Sequence, residues 1–284
     1  MEILSSPGEM QSRVRQLRQS GKSVGVVPTM GALHEGHLSL IAAAQSDCDI
    51  VIATIFVNPT QFGPDEDFDN YPRTLNRDLE LCQQTGAALV FTPAVDDMYS
   101  PDNNTVVAVA GLTQTFEGAS RPTHFDGVTT IVAKLFNIAL PDKAYFGQKD
   151  FQQQLVIRRM TQDLNFPVEI VTCPIFREAD GLAMSSRNRY LNPTERQQAL
   201  ALNAALEECE QLASQENLSA SELQERLNAA LSAAEGVDLD YAAVVDAATL
   251  LPVNSSSKDS VAIVAAQVGN TRLIDNRILS SVGH

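Results

Sequence analysis

Hydrophobic positions in the first 175 residues alternate between helical and strand-like spacing. Met10, Val14 and Leu17 recur at helical intervals, and Gly21 follows as a stop signal. Val24 to Val27 is a short apolar run that Pro28 is expected to end. Leu38 to Ala44 has helical composition. Ile50 to Val57 is almost wholly apolar and β-branched, as in a parallel strand covered on both faces. Leu75 to Gln84 predicts a helix and Ala88 to Phe91 a strand. Gly127 to Leu140 predicts a helix with Val128, Ile131, Val132, Leu135 and Phe136 as its apolar positions. Ala144 to Phe146, Phe151 to Leu164 and Val168 to Val171 then predict strand, helix and strand. Repeated β-α-β units imply a mostly parallel sheet with helices on both faces.

The pattern changes near Pro174 to Phe176. Asn192-Pro193-Thr194-Glu195 is a helix start, with a capping side chain, a proline in the first turn and a following glutamate. Leu202, Leu206 and Cys209 share one face of that helix, and Ser219 to Glu222 has capping-box spacing for a second. Leu239 to Val245, Val261 to Ala266 and Arg272 to Ile274 predict strands. The expected fold class is α/β: a Rossmann-like doubly wound parallel sheet over 1–175, with a second, smaller α+β domain over 176–284.

The formal charge of −15 disfavours nucleic acid and anionic membrane as partners. No apolar run is long enough to span a bilayer, and the N-terminus lacks the pattern of a secretory signal. Cys48, Cys82, Cys173 and Cys209 form no C-x-x-C pair, so reduced, buried thiols in a cytoplasmic protein are expected. Asn254 to Lys258 is a polar loop.

Chemistry concentrates at strand-to-helix turns, where open parallel sheets bind ligands. Pro28-Thr29-Met30-Gly31-Ala32-Leu33-His34-Glu35-Gly36-His37 is the first. A helix N-terminus suits phosphate, and histidines three apart near a helix start place both rings on one side. The sequence lacks the His-Glu-x-x-His zinc signature, because Leu38 stands where the second histidine is required. The remaining histidines, His124 and His284, supply no evident further metal ligand nearby. Gly147-Gln148-Lys149-Asp150 is the second turn. Its glycine permits close approach, its lysine can reach phosphate, and its aspartate can meet a ribose or cap the helix. Gln153 lies one turn later, and Gln61 follows the Ile50–Val57 strand. Met184-Ser185-Ser186-Arg187 is a polar, basic loop after the turn residues Asp180 and Gly181. The acidic run Asp65 to Asp69 reads as a solvated loop able to attract magnesium. Taken singly, each segment is also compatible with an ordinary capped helix or surface loop.

Taken together, Val27–His37, Phe56–Phe62, Tyr71–Thr74, Phe146–Gln153, Met184–Asn188 and Arg272–Asn276 resemble the pantoate–β-alanine ligase (pantothenate synthetase) family. That family falls within the wider His-x-Gly-His nucleotidyltransferase superfamily. The resemblance implies ATP-dependent condensation of pantoate with β-alanine through a pantoyl adenylate, releasing AMP and pyrophosphate. It implies that Met30, Gly31, Ala32, Leu33, His34, Glu35, Gly36, His37, Gly147, Gln148, Lys149, Asp150, Phe176, Met184, Ser185, Ser186 and Arg187 hold ATP. Gln61 and Gln153 would hold pantoate, and Gln61 would also meet β-alanine. His37 would donate a proton, while His34 and Lys149 would stabilise phosphate. Magnesium with ATP, a cytoplasmic location, a homodimer built on the N-terminal domain and a C-terminal lid domain complete the expectation. Two positions depart from the family pattern. Phe176 replaces a smaller aliphatic side chain, and Thr123 replaces the glycine of Arg-Pro-Gly-His-Phe. A nucleotidyltransferase that keeps the nucleotide on its product is the alternative enzyme class. A non-catalytic nucleotide-binding module is the third reading.

Overall fold

The computed structural model describes residues 1–64, 66–215, 218–254 and 259–279. Asp65, most of the expected polar loop at 254–258 and His284 lie outside the described residues. The chain divides into two compact units. One comprises residues 1–147 and 152–174; the other comprises 148–151 and 175–284.

The first unit begins with β1 (Glu2–Leu4), α1 (Pro7–Gln19), β2 (Val24–Thr29), α2 (Glu35–Asp47) and β3 (Ile50–Ile55). It continues through α3 (Leu75–Thr85), β4 (Leu89–Phe91), the short helices α4 (Val95–Met98) and α5 (Glu117–Ser120), and α6 (His124–Ala139). Then come β5 (Lys143–Gly147), α7 (Phe151–Asp163), whose first residue groups with the second unit, and β6 (Glu169–Cys173). The six strands form one sheet in the order β1-β4-β3-β2-β5-β6, and every pairing is parallel. From β2 the chain moves outward to β3 and β4. It then returns to place β5 on the other side of β2. The order therefore reverses between β2 and β5, which makes the sheet doubly wound.

Side chains alternate across this sheet with period two. Val26, Ile52, Phe91, Ala144 and Phe146 meet apolar residues of α1, α6 and α7 on one face. Val27, Ala53, Val90 and Tyr145 meet α2 and α3 on the other. Apolar side chains cover both faces, which explains the nearly continuous apolar run in β3.

One expectation fails here: Pro28 does not end β2, which runs to Thr29 and pairs Pro28 with Thr54. Backbone direction explains it. On the β3 side, Ile50 N–H donates to Ser23 O and Phe56 N–H to Thr29 O. Pro28 faces the other neighbour, as Val24 does when its carbonyl accepts from Asp142 N–H. Pairing with β5 stops at Val26 and Ala144, so the missing proline N–H removes no ladder bond. The strand β1, unforeseen from the pattern, is too short to show a period and pairs with β4 across residues 2–4.

The second unit contains α8 (Pro193–Gln215), α9 (Ala220–Ser232) and an antiparallel sheet of β7 (Val237–Asp246), β8 (Ser260–Val268) and β9 (Thr271–Leu279). Asn192 Oδ1 accepts from the N–H groups of Thr194 and Glu195, and Glu195 accepts from Asn192 N–H, as the cap sequence predicts. Ser219 and Glu222 form the expected reciprocal box. Leu202, Leu206 and Cys209 of α8 join Leu223 and Leu227 of α9 over Val264 and Ala266 of β8. The architecture is thus a parallel α/β unit with a small α+β unit.

Thr123 occupies left-handed backbone, with φ 71°, at the start of α6, and its side chain makes no capping hydrogen bond. Glycine suits this geometry, whereas a β-branched residue pays about 1–2 kcal/mol for it. Part of that gain is offset by the greater entropy of an unfolded glycine, so Thr123→Gly should stabilise the protein by about 1 kcal/mol. Equilibrium urea denaturation reads this directly, and a lowered midpoint would contradict it.

Candidate active site

The first turn is built around a buried carboxylate. Asp78 of α3, only 1% exposed, accepts from Ala32 N–H at 3.0 Å and Leu33 N–H at 2.9 Å. Thr74 Oγ1 donates to the same carboxylate. Thr29 Oγ1 donates to Thr54 O and accepts from Gly31 N–H. Gly31 and Ala32 both have positive φ, at 84° and 51°, so the chain reverses sharply after β2. The reversal delivers His34 as the N-cap of α2, with His37 in the first helical turn. Their ring centroids are 4.0 Å apart and the rings tilt by 31°. The expected placement of both imidazoles on one side is therefore realised.

Gln61 follows β3 in a short 3₁₀ turn over Pro59–Gln61 and is 9% exposed. Asn58 Nδ2 donates to Gln61 Oε1 at 3.1 Å and to Gly127 O. Asn58 Oδ1 accepts from Tyr99 Oη at 2.9 Å and Thr60 Oγ1 at 3.0 Å. These partners set both amides, leaving Gln61 Nε2 directed at Met30 Sδ, 3.0 Å away. Sulfur is a weak acceptor, so that N–H is readily taken by a stronger one. Gly127 permits the turn to lie against α6: an added Cβ would fall 2.3 Å from Thr60 O.

His124 and Arg121 hold the same turn from behind. His124 Nδ1 lies 2.8 Å from Gln61 O, and Arg121 Nη1 lies 3.1 Å from His124 Nε2. A carbonyl only accepts and a guanidinium only donates, so His124 is neutral with its proton on Nδ1. Burial, reinforced by the Arg121 charge, lowers its pKa to about 4. Arg121 also grips Glu66 through Nε at 2.8 Å and Nη2 at 2.6 Å. Burial alone would raise the Glu66 pKa, but the Arg121 hydrogen bonds and charge lower it overall. Glu66 is therefore part of a clamp, which corrects the expectation of a solvated acidic loop. Cys48 similarly departs from expectation in being only half-buried, while the other three thiols are buried and all four are free.

The remaining first-unit candidates are Gly147 and Gln153. Apart from its two chain neighbours, a Cβ at Gly147 would meet no atom of the described residues within 4 Å, leaving open space beside that backbone. Gln153 is half-buried. Its neighbour Gln152 bridges Glu117 N–H to the carbonyls of Leu112 and Thr115, a purely internal use.

The second unit holds Gln148, Lys149, Asp150, Phe176 and the Met184–Arg187 loop. Asn276 of β9 donates to the carbonyls of Gln148 and Lys149. Phe176 has a 40% exposed side chain, and its carbonyl accepts from Met184 N–H at 2.9 Å. Ser185 caps the 3₁₀ turn Ser186–Tyr190 by accepting from Arg187 N–H. Asn188 fastens this loop by donating to Glu178 Oε1 and Ala183 O. Arg196 in turn binds Glu178 and Asp180.

Sequence alone assigns no role to Asn58, Asp78, Tyr99, Arg121, His124 or Asn276. Asn276 and Asn58 lie in resembling segments, and Arg121 and His124 flank the Thr123 departure. Asp78 and Tyr99 carry no local signal, because the turns they hold lie 39 or more residues earlier in the chain.

Among the described residues, no group of three or more His, Cys, Asp or Glu side chains could hold a metal. The site is thus that of a doubly wound α/β protein whose histidine-bearing turn leaves the carboxyl end of a central strand. A family model described as Pantoate-beta-alanine ligase matches residues 2–278. Pantothenate synthetase from Moorella thermoacetica is 52% identical over 98% of this chain and 99% of its own. The Thermotoga petrophila pantothenate synthetase is 50% identical over 98% of this chain and its whole length. The crystal structure of pantothenate synthetase from Thermus thermophilus superposes with a TM-score of 0.94 at 45% identity, covering 99% of this chain and 100% of that one. A pantoate-beta-alanine ligase from Francisella tularensis, complexed with beta-gamma ATP and beta-alanine, gives 0.79 at 33% identity, with 98% and 97% covered. The chain belongs to the pantoate–β-alanine ligase family and is a ligase of pantothenate biosynthesis.

The buried neutral His124 has a pH consequence. Its folded pKa lies below the unfolded value near 6.5, so the unfolded chain binds the extra proton first. The stability contributed is present above pH 6.5 and is lost as pH falls towards 4, by an amount on the order of 3 kcal/mol. The facing groups are Arg121, Glu66, Glu117 and Gln61 O. Denaturation curves for wild type and His124→Gln between pH 7 and 4.5 should show the shallower pH slope in the variant. Equal slopes would exclude His124 as the source.

Proposed function

We propose that the chain makes pantothenate in two steps, with pantoyl adenylate as the intermediate. The observation that carries this reading is the imidazole pair at the first turn of α2, beyond the carboxyl end of β2. Helix-start N–H groups and imidazoles are suited to phosphate charge that grows during nucleotidyl transfer. A pantoate carboxylate oxygen attacks the α-phosphorus of ATP, and the bond to pyrophosphate breaks with its electron pair leaving on pyrophosphate. The neutral β-alanine amine then attacks the acyl carbon, AMP departs with the pair of the broken C–O bond, and the nitrogen releases one proton to solvent. Because the acid substrate is itself the nucleophile, no covalent enzyme intermediate is needed. Orientation and charge neutralisation carry the catalysis.

In this reading, Met30 to His37, Gly147 to Asp150, Phe176 and Met184 to Arg187 hold ATP. His37 donates a proton, and His34 and Lys149 neutralise phosphate. Gln61 and Gln153 hold pantoate, and Gln61 also meets β-alanine. Its amide is well prepared, since Asn58 donates to Oε1 and the Met30 thioether, a weak acceptor, faces Nε2. Mg²⁺ is proposed to enter with ATP, held mainly by its phosphates and water, as is usual for this ion at nucleotide sites. Bound in this way, Mg²⁺ would neutralise phosphate charge. The proposed compartment is the cytoplasm, where ATP is supplied and the four free thiols stay reduced.

A homodimer through the first unit is the proposed assembly. Support comes from the apolar run 106–110, which is in no described strand. Val107 is tethered to Thr129 and Thr130 of α6, while Val106 is 64% exposed. Val106→Asp should shift sedimentation from dimer to monomer. A monomeric wild type, or an unchanged dimer in the variant, would refute this surface.

Pantoate-dependent exchange of pyrophosphate into ATP tests the reaction. Wild type should show exchange, and full turnover should yield AMP; ADP as the product would overturn the route. His37→Ala and Lys149→Ala should each lower exchange by about 10²-fold. Gln61→Ala and Gln153→Ala should raise the KM for pantoate far more than that for ATP. Equal weakening of both substrates would remove the glutamines from the pantoate site.

A further inference from the structure

We propose that Asn276 is a positioning residue that sets the Gln148–Lys149 backbone and thereby the Lys149 ammonium group. This rests on the reading that Lys149 acts on phosphate. Asn276 sits in β9, opposite Ile263 of β8, and is 2% exposed. Its Nδ2 donates to Gln148 O and to Lys149 O, each at 2.9 Å. Its Oδ1 accepts from Gln148 Nε2 at 3.1 Å. One amide thus holds two successive peptide groups and a side chain. Flipping it would set its oxygen against two carbonyl oxygens, so the network fixes its orientation.

The consequence for the turn is geometric. In a trans peptide the C=O and N–H point in opposite directions. With the carbonyls of Gln148 and Lys149 turned to Asn276, the N–H groups of Lys149 and Asp150 face away from it. They lie just ahead of α7, whose first residue is Phe151. Successive N–H groups of this kind favour an anion, and their direction depends on the asparagine behind them. Gly147, which precedes them, leaves space at its own Cβ position.

Asn276 is itself braced. Its N–H donates to Asp275 Oδ1 at 2.7 Å. Asp275 is 3% exposed, and Arg177 grips both its oxygens at 2.7 and 3.0 Å. Arg177 also donates to Gly181 O, which ties the brace to the start of the 181–187 segment. A charge-assisted fork of this kind holds geometry more firmly than a neutral pair.

Asn276→Asp keeps the shape and replaces the two donors with an acceptor. Pantoate-dependent pyrophosphate exchange should fall by about 10- to 100-fold, the scale of a misplaced catalytic group. The KM for pantoate should stay near the wild-type value. The decisive measurement is the same substitution in a Lys149→Ala background. If Asn276 acts through Lys149, the second substitution adds little there. An equal fold-loss in both backgrounds, or near-normal exchange in Asn276→Asp alone, would overturn the proposal. If Asn276→Asp is not recovered folded, Asn276→Ser removes the donors without adding charge, and the same cycle decides. Should Lys149→Ala itself exchange normally, both the role of Lys149 and this inference fall. A failure confined to the Asn276 variants leaves the adenylate route standing.

Discussion

The structure of the first unit depends on β2 being paired on both edges while also buried on both faces. Strands β3 and β5 flank it, α1 and α6 cover one side, and α2 covers the other. A strand so enclosed cannot move without opening two ladders and two apolar contacts. The chain order reverses at its edge with β5, so the segments leaving β2 and β5 diverge on their way to α2 and α7. This leaves backbone N–H groups at the carboxyl ends without a sheet partner. In the first of these turns the N–H groups of Gly31, Ala32 and Leu33 are held by Thr29 and Asp78 instead, which fixes the course of the chain from the strand end into α2.

The turns are held by buried polar side chains of fixed orientation. Asp78 gathers the N–H groups of Ala32 and Leu33, Asn58 orients Gln61, His124 supports the Gln61 carbonyl, and Asn276 gathers two carbonyls of the second turn. Each of these groups would be costly to bury alone, and each becomes tolerable because hydrogen-bond partners meet it: backbone groups for Asp78, His124 and Asn276, and mostly side chains for Asn58. Hydrogen bonds to a charged group contribute about 1.5–3 kcal/mol each. Truncating Asp78 would therefore release the loop ahead of His34 and leave its N–H groups unpaired. The arrangement resists small displacements, which suits a reaction that depends on orientation rather than on a covalent nucleophile.

Thr123 shows where this chain accepts strain. Its left-handed backbone directly precedes His124, which must reach the Gln61 carbonyl. The position needs the backbone bend and makes no use of the threonine side chain as a cap. The bend places a neutral imidazole between a guanidinium and a carbonyl, and so links Glu66, Arg121 and Gln61 in one network.

The alternation of strands and helices, the parallel sheet, the cap sequences at Asn192 and Ser219 and the two histidines on one side were legible in the chain. Those features depend on local spacing: period two or 3.6, a capping side chain, or two residues one turn apart. The family was legible because several short motifs recur in order. Sequence alone did not show that β2 passes through Pro28, since that depends on which neighbour the missing N–H would face. It also did not reveal Asp78 or Tyr99 as supports, nor the use of Glu66, Arg121, His124 and Asn276. The groups they hold lie far away in sequence, at separations from 39 to 128 residues, except where Arg121 meets His124, Thr74 meets Asp78 and Asp275 meets Asn276. A buried polar side chain has no periodic signature, and its role is decided by whichever unsatisfied backbone group the folded chain brings within hydrogen-bond reach.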